Sequence, residues 1–156
     1  MIKFLLDFNL NLKLLDEEGN NLLMIVVKNK VSFKYILNLV NRNIFDIKYI
    51  NKKFRNILYF INEDDIIVFK YFIKLGVNPN IIDIDNENII FNLCRNNYYN
   101  ILKYLLSNFK IDLNLKNNKF NLPLFYSNNY EIIELLLKNN INTYSTNING
   151  QTFLNY

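Results

Sequence analysis

The segment Glu131 to Lys138 reads E-I-I-E-L-L-L-K, and variants of it recur at Asn100 to Ser107 and at Ile67 to Lys74. Each copy is trailed by an Asn- or Asp-bearing stretch that reads as a hairpin: Val77-Asn78-Pro79-Asn80, Ile111-Asp112-Leu113-Asn114 and Ile141-Asn142-Thr143-Tyr144. One supersecondary unit repeated along a chain cannot bury its apolar face alone, so the units must stack into a solenoid. Such a stack offers an extended surface across its repeats, which suits binding better than catalysis.

Taking the acidic or amide residue that opens each hairpin tip as a marker gives Asp16, Asn51, Asp83, Asn117 and Asn147, spaced by 35, 32, 34 and 30 residues. The spacing is too short for HEAT units and fits repeats of roughly 33 or 34 residues. An extended segment such as Asn78 to Asn88 separates successive helix pairs, where a tetratricopeptide unit has a short turn.

On these residues the chain resembles a degenerate ankyrin-repeat protein, whose pattern runs D-x-x-G-x-T-P-L-H-x-A-A, then E-I-V-K-L-L-L, then G-A-D-V-N. Asp16-Glu17-Glu18-Gly19-Asn20-Asn21-Leu22-Leu23-Met24-Ile25-Val26-Val27 follows the first part, as do Asn117 to Phe125, with Leu122-Pro123-Leu124-Phe125, and Asn147 to Leu154. Gly76-Val77-Asn78-Pro79-Asn80 matches the hairpin entry, and Lys3-Phe4-Leu5-Leu6-Asp7 with Asn11-Leu12-Lys13 reads as a second helix and its hairpin. The resemblance covers essentially the whole chain. It implies an all-α solenoid of stacked helix pairs with β-hairpin-like fingers, as one domain over 1–156. Within it, 1–15 is an N-terminal half-repeat, 16–50, 51–82, 83–116 and 117–146 are repeats, and 147–156 is a partial repeat.

The departures from the pattern are physical. The chain has no Ala and no His. The small pair of the pattern is replaced by Val26-Val27, Ile61-Asn62, Leu93-Cys94 and Ser127-Asn128, bulk that is expected to push helices apart or shift their crossing. Met24, Tyr59, Phe91 and Phe125 stand where the pattern has His, which removes its hydrogen bonds. The helix-capping Thr becomes Asn21, Asn56, Asn88 and Thr152, sound caps all, whereas Leu122 is none, although Pro123 keeps the first-turn proline. At the tip Gly survives at Gly19 and Gly150. Asn86 tolerates a left-handed backbone, but Phe54 and Phe120 should not, so altered tips are expected in those two hairpins.

At 51% hydrophobic, the chain has ample apolar material for a continuous core. Its 32 asparagines fall mostly at caps, hairpins and helix ends and fit a compositional bias of the source as well as a functional demand. The single cysteine, Cys94, reads as core, and one thiol builds no disulfide framework. Helices are expected at Ile2 to Phe8, Leu22 to Asn29, Phe33 to Asn41, Ile57 to Asn62, Asp65 to Leu75, Ile89 to Asn96, Asn100 to Asn108, Pro123 to Asn128 and Tyr130 to Lys138, with a stub from Phe153. The short link Ser127-Asn128-Asn129-Tyr130 implies a clipped helix. Lys70 with Lys74, Asn100 with Lys103 and Ser107, and Glu131 with Glu134 and Lys138 share a solvated outer face.

The resemblance implies a scaffold or adaptor that binds a partner protein on the finger tips and inner helices, host-directed effectors included. Carried over position by position, the partner-binding residues are Glu17, Glu18 and Lys28; Lys52, Lys53 and Arg55; Asp85, Glu87 and Arg95; and Lys119. Charge alternates along this row of fingers. Either neighbouring fingers pair with one another, at about 0 to 1 kcal/mol per exposed pair, or the stripe selects a complementary partner. Tyr98 and Tyr99 stand at the helix-to-helix turn, as covers for the core end or as interface anchors.

Other functions fare poorly on the sequence. Without His there is no imidazole base and no imidazole zinc ligand. Glu63-Asp64-Asp65 reads as a helix start favoured by the dipole, and no Gly-rich phosphate loop exists, so no enzyme, cofactor, metal site or small-molecule substrate is expected. The excess charge is only +4 despite a pI of about 9.0. The basic cluster Lys52-Lys53-Arg55 is flanked by acidic fingers, unlike a surface that tracks phosphates, so nucleic acid is not the expected partner.

No apolar run reaches the roughly 18 residues of a membrane helix, and the apolar start is interrupted by Asp7, Asn9, Asn11 and Lys13 with no cleavage site. A cytoplasmic or nuclear protein follows, with host-cell cytosol open for an effector. The chain opens inside a second helix and closes inside a first, so it reads as an excised stretch of a longer array, as self-capped, or as docking between copies. A monomer is expected, with head-to-tail association as the alternative.

Overall fold

The computed structural model describes Leu12 and residues 14–155. The helix expected over Ile2 to Phe8, and Asn11 and Lys13 of the hairpin after it, lie outside the described residues. Helix pairs succeed one another: α1 (Leu22–Lys28) with α2 (Phe33–Asn41), a 3-10 turn Ile57–Phe60 with α3 (Ile66–Lys74), α4 (Ile89–Arg95) with α5 (Tyr99–Asn108), and a 3-10 turn Pro123–Tyr126 with α6 (Tyr130–Lys138). A last 3-10 turn spans Phe153–Asn155. Among the described residues, β pairing is limited to one isolated antiparallel bridge, Leu15 to Asn21. The fold is an all-α repeat fold.

The inner row runs from α1 through Ile57–Phe60 and α4 to Pro123–Tyr126, each element packing on the next, while α3, α5 and α6 pack in order as an outer row. The edge-to-face contact of Phe33 with Tyr71, 5.2 Å between ring centres, joins α2 to α3. Between the rows lies one apolar core in which Leu39, Phe69, Phe72, Ile90, Leu102, Leu124 and Ile132 are wholly buried. Each such side chain contributes roughly 1.5 to 3 kcal/mol. Val26, Val27, Leu93 and Cys94, at the positions where the pattern has small residues, are part of this core.

Two inner helices differ from expectation. Where α-helices are expected over Ile57 to Asn62 and Pro123 to Asn128, the chain forms four-residue 3-10 turns, Ile57–Phe60 and Pro123–Tyr126. The reason is the length between caps: Asn21 to Ser32 and Asn88 to Tyr98 leave room for α1 and α4, whereas Asn56 to Asp65 and Leu122 to Asn129 are shorter. A 3-10 turn rises about 2.0 Å per residue against about 1.5 Å for an α-helix, so it spans a similar height with fewer residues.

The fingers share one tip geometry. In each, the opener's backbone N–H bonds the carbonyl four residues on, and its carbonyl accepts the N–H three residues on: Gly19, Phe54, Asn86, Phe120 or Gly150, at 2.8 to 3.1 Å. The opener's side-chain oxygen accepts two further amides, those of Lys53 and Arg55 at Asn51, of Asp85 and Glu87 at Asp83, of Lys119 and Asn121 at Asn117, and of Asn149 and Gln151 at Asn147. Only an Asp or Asn has the reach for this.

The same bonds overturn the expectation of altered tips. Phe54 and Phe120 both hold φ at +59°, in the left-handed region with Gly19, Asn86 and Gly150. That conformation costs roughly 1 to 2 kcal/mol for a side chain with a Cβ. Four hydrogen bonds per tip, at about 0.5 to 1.5 kcal/mol net each, outweigh it.

The abundance of asparagine has structural uses. Asn21, Asn56, Asn88 and Asn129 cap helix starts. Asn43, Asn86, Asn97 and Asn140 take left-handed backbone, which Asn tolerates better than most residues. Asn29, Asn96, Asn108 and Asn139 donate to the carbonyl four residues back, satisfying acceptors that a helix end leaves open. Two caps do more than Thr does: the amide of Asn56 also donates to the Asn78 carbonyl and that of Asn88 to the Asp112 carbonyl, both at 2.6 Å, tying each inner element to the hairpin that follows.

Candidate partner-binding surface

The fingers are joined edge to edge. The amide after each opener donates to the carbonyl two residues past the preceding opener: Lys52 to Glu18 at 3.1 Å, Ile84 to Lys53 at 3.2 Å, Asn118 to Asp85 at 3.0 Å and Ile148 to Lys119 at 3.2 Å. Behind this ladder a column of side chains repeats the linkage. The Asn51 amide donates to Asn20 at 2.7 Å, Arg55 Nε to Asp83 at 2.8 Å and the Asn117 amide to Glu87 at 2.8 Å. At the last finger the Asn147 amide donates instead to Gln151, and the buried Asn121 Oδ1 has no partner among the described residues.

The alternating charges meet one another across neighbouring fingers. Lys53 pairs with Glu18, and Arg55 pairs with Asp83 and, at 3.4 Å, with Asp85. The Lys53 contact, with help from Asn20, holds the Glu18 carboxyl below its usual range. Glu17 and Lys52 stay exposed at the tips, where Lys52 Nζ donates to the Glu17 carbonyl at 3.0 Å.

Beneath the fingers the predicted residues gather in two clefts that share Arg55. One, of about 260 Å³, is lined by Glu18, Lys28, Arg55, Tyr59, Asn62 and Tyr98, among others. The second, of about 380 Å³, is lined by Arg55, Asp85, Glu87, Arg95, Lys119 and Tyr126, with Asn117 and Asn118. Glu17, Lys52 and Lys53 are outside both.

Glu87 is placed inside rather than outside. Its side chain is 7% exposed, it grips Arg95 Nη2 with both oxygens at 2.8 and 2.9 Å, and it accepts from Asn117. Its role is to position Arg95, whose guanidinium lies 4.4 Å from the centre of the Tyr126 ring. Arg55 similarly lies 5.8 Å from Tyr59. Neither tyrosine stands among the residues expected at this surface. Tyr59 stands where the pattern has His and is expected to lack its hydrogen bonds, yet its one O–H lies 3.1 Å from both the Ile81 and the Glu87 carbonyl and is shared between them. Burial, with help from Asp83, pushes its pKa far above the usual phenol range.

The acidic run before α3 joins repeats. Asp65 caps α3 through the Ile67 and Val68 amides, Asp64 accepts the Asn100 and Ile101 amides at the start of α5, and Glu63 pairs with Lys30 at 2.6 Å. Tyr98 donates to Asn62 and accepts from the Glu63 amide, so it ties two repeats together. Among the described residues, no cluster of three or more His, Cys, Asp or Glu could hold a metal ion, and no helix is long and apolar enough to cross a membrane.

Comparison with known proteins agrees with this geometry. A family model described as ankyrin repeats, in three copies, matches residues 57–149. A search of curated proteins finds no match to the chain. Stacked helix pairs, hairpin fingers in a common register and the family match together establish that the chain belongs to the ankyrin-repeat family, whose members are generally protein-interaction modules and typically not enzymes.

Proposed function

We propose that this chain is a protein-interaction scaffold or adaptor whose partner lies along the surface between the fingers and the inner helices. The observation that carries this reading is the pair of adjoining clefts, which share Arg55 and present Arg95 and two tyrosines braced from behind. Braced arginines and tyrosines lose little freedom on binding and are the residue types that dominate interface energetics. In this proposal Lys28, Arg55, Asp85, Arg95 and Lys119 touch the partner, Glu87 holds Arg95 in place, and Glu17, Glu18, Lys52 and Lys53 form the rim.

The proposed organisation is one domain of repeats over 16–50, 51–82, 83–116 and 117–146 between partial units, monomeric, with no small-molecule ligand. A cytoplasmic or nuclear setting, host-cell cytosol included, suits such an adaptor. A nucleic-acid role for Lys52-Lys53-Arg55 is disfavoured because Lys53 and Arg55 are already paired with acidic neighbours.

The test is affinity purification of the chain and of Lys28→Glu and Lys119→Glu variants, beside Lys70→Glu and Lys74→Glu on the outer face. Partners lost only with the first two support the proposal. An identical set with all four, at equal stability, favours a structural repeat segment with no partner of its own.

A further inference from the structure

We infer that the cleft between the third and fourth fingers takes a carboxylate, an Asp or Glu side chain of the bound partner; this rests on the adaptor reading above. Three cations, Arg55, Arg95 and Lys119, face one cleft with two carboxylates, Asp85 and Glu87. Glu87 is buried and saturated by Arg95 and Asn117, so the cleft's remaining acceptor of full charge is Asp85.

The donors are in excess. Arg95 uses Nη2 on Glu87, and its side chain remains 41% exposed. Its guanidinium plane is fixed from two sides, by the carboxylate behind it and by the Tyr126 ring 4.4 Å away. A planar fork held in this way is organised in advance for a carboxylate, the geometry in which arginine binds most strongly. Lys119 is exposed, and its ammonium makes no ion pair among the described residues.

The pairing selects the anion. Arg55 is already matched by Asp83 and Asp85, and Arg95 by Glu87, so Lys119 is the cleft cation without an ion pair among the described residues, and one carboxylate supplies its counter-charge. A phosphate of nearly two charges would exceed that and face Asp85, a like charge. The site therefore discriminates by a repulsive element as well as an attractive one.

The probe is a random-peptide display library panned on the full chain, followed by affinities for the synthesised peptides. The selected peptides are expected to share an Asp or Glu whose change to Asn or Gln weakens binding at least about tenfold, the scale of one charge-assisted contact. Lys119→Glu, which breaks no ion pair among the described residues, and Arg95→Lys, which keeps the charge but removes the fork, are expected to weaken it comparably. They should do so without adding to the effect of the peptide change. A shared position that carries no acid, or acidic peptides indifferent to both variants, overturns the inference. If such peptides still respond to Lys28→Glu, the adaptor reading survives. Peptides indifferent to Lys28→Glu as well, or no peptides selected, overturn both.

Discussion

At the residue scale the fingertips set two opposing effects against each other. Phe54 and Phe120 keep a left-handed backbone because the opener above each imposes it, and both rings remain about half exposed. Phe54→Gly should therefore raise stability by about 0.5 to 1 kcal/mol in urea unfolding, the strain relieved less the added freedom of the unfolded chain. A fall in stability would show that the ring contributes packing worth more than the strain. Gly19 is the opposite case: at φ +77° a Cβ would meet Lys52 Cγ at 2.9 Å and its backbone N at 3.2 Å, so this finger admits no such residue. Burial pushes the Cys94 thiol up to about 12, with Arg95 opposing weakly. Because the folded value lies above the unfolded one near 9, the buried thiol's contribution is complete below about pH 9 and is lost as pH rises towards about 12. Cys94→Ala should flatten that part of the alkaline stability curve, and native Cys94 should resist thiol reagents until the protein unfolds. Rapid labelling of the folded protein would contradict its burial.

At the scale of elements, the start of α5 depends on a group from the preceding repeat. Asp64 holds the Asn100 and Ile101 amides of α5 at 2.6 and 2.8 Å, although it belongs to the link before α3. Asp64→Ala should cost about 1 to 2 kcal/mol, the upper range for a lost cap, and thermal unfolding of the variant measures it. A loss within error would mean that the bond is replaced by water. This dependence shows what a linear reading reaches. The openers, the Asn caps and the outer helices were legible because each rests on local chemistry, an Asx turn or an apolar stripe of helical period. The two 3-10 turns were not, because they follow from the number of residues left between two caps once both are fixed in the stack. In the run expected to start the helix that follows it, Asp65 does so, whereas Asp64 holds the start of a helix in the next repeat.

At the scale of the molecule, the alternating finger charges have two destinations that the sequence alone left open. Glu18 with Lys53, and Arg55 with Asp83, meet within the stack, so that part of the pattern aligns the fingers. Arg95 and Lys119 keep exposed cationic surface toward the cleft, and Tyr126 beneath them was invisible until Arg95 and the fourth finger were brought together in space. The candidate surface was thus legible as a row of positions but not as two clefts, since a cleft is made by residues about one repeat apart. The clefts and the candidate surface both depend on the edge-to-edge stacking of the fingers. Amide hydrogen exchange followed residue by residue tests it most directly: the amides of Lys52, Ile84, Asn118 and Ile148 should exchange far more slowly than free surface amides, since each bonds the preceding finger. Exchange at the unprotected rate at all four would mean that the fingers do not stack and that the clefts beneath them do not exist.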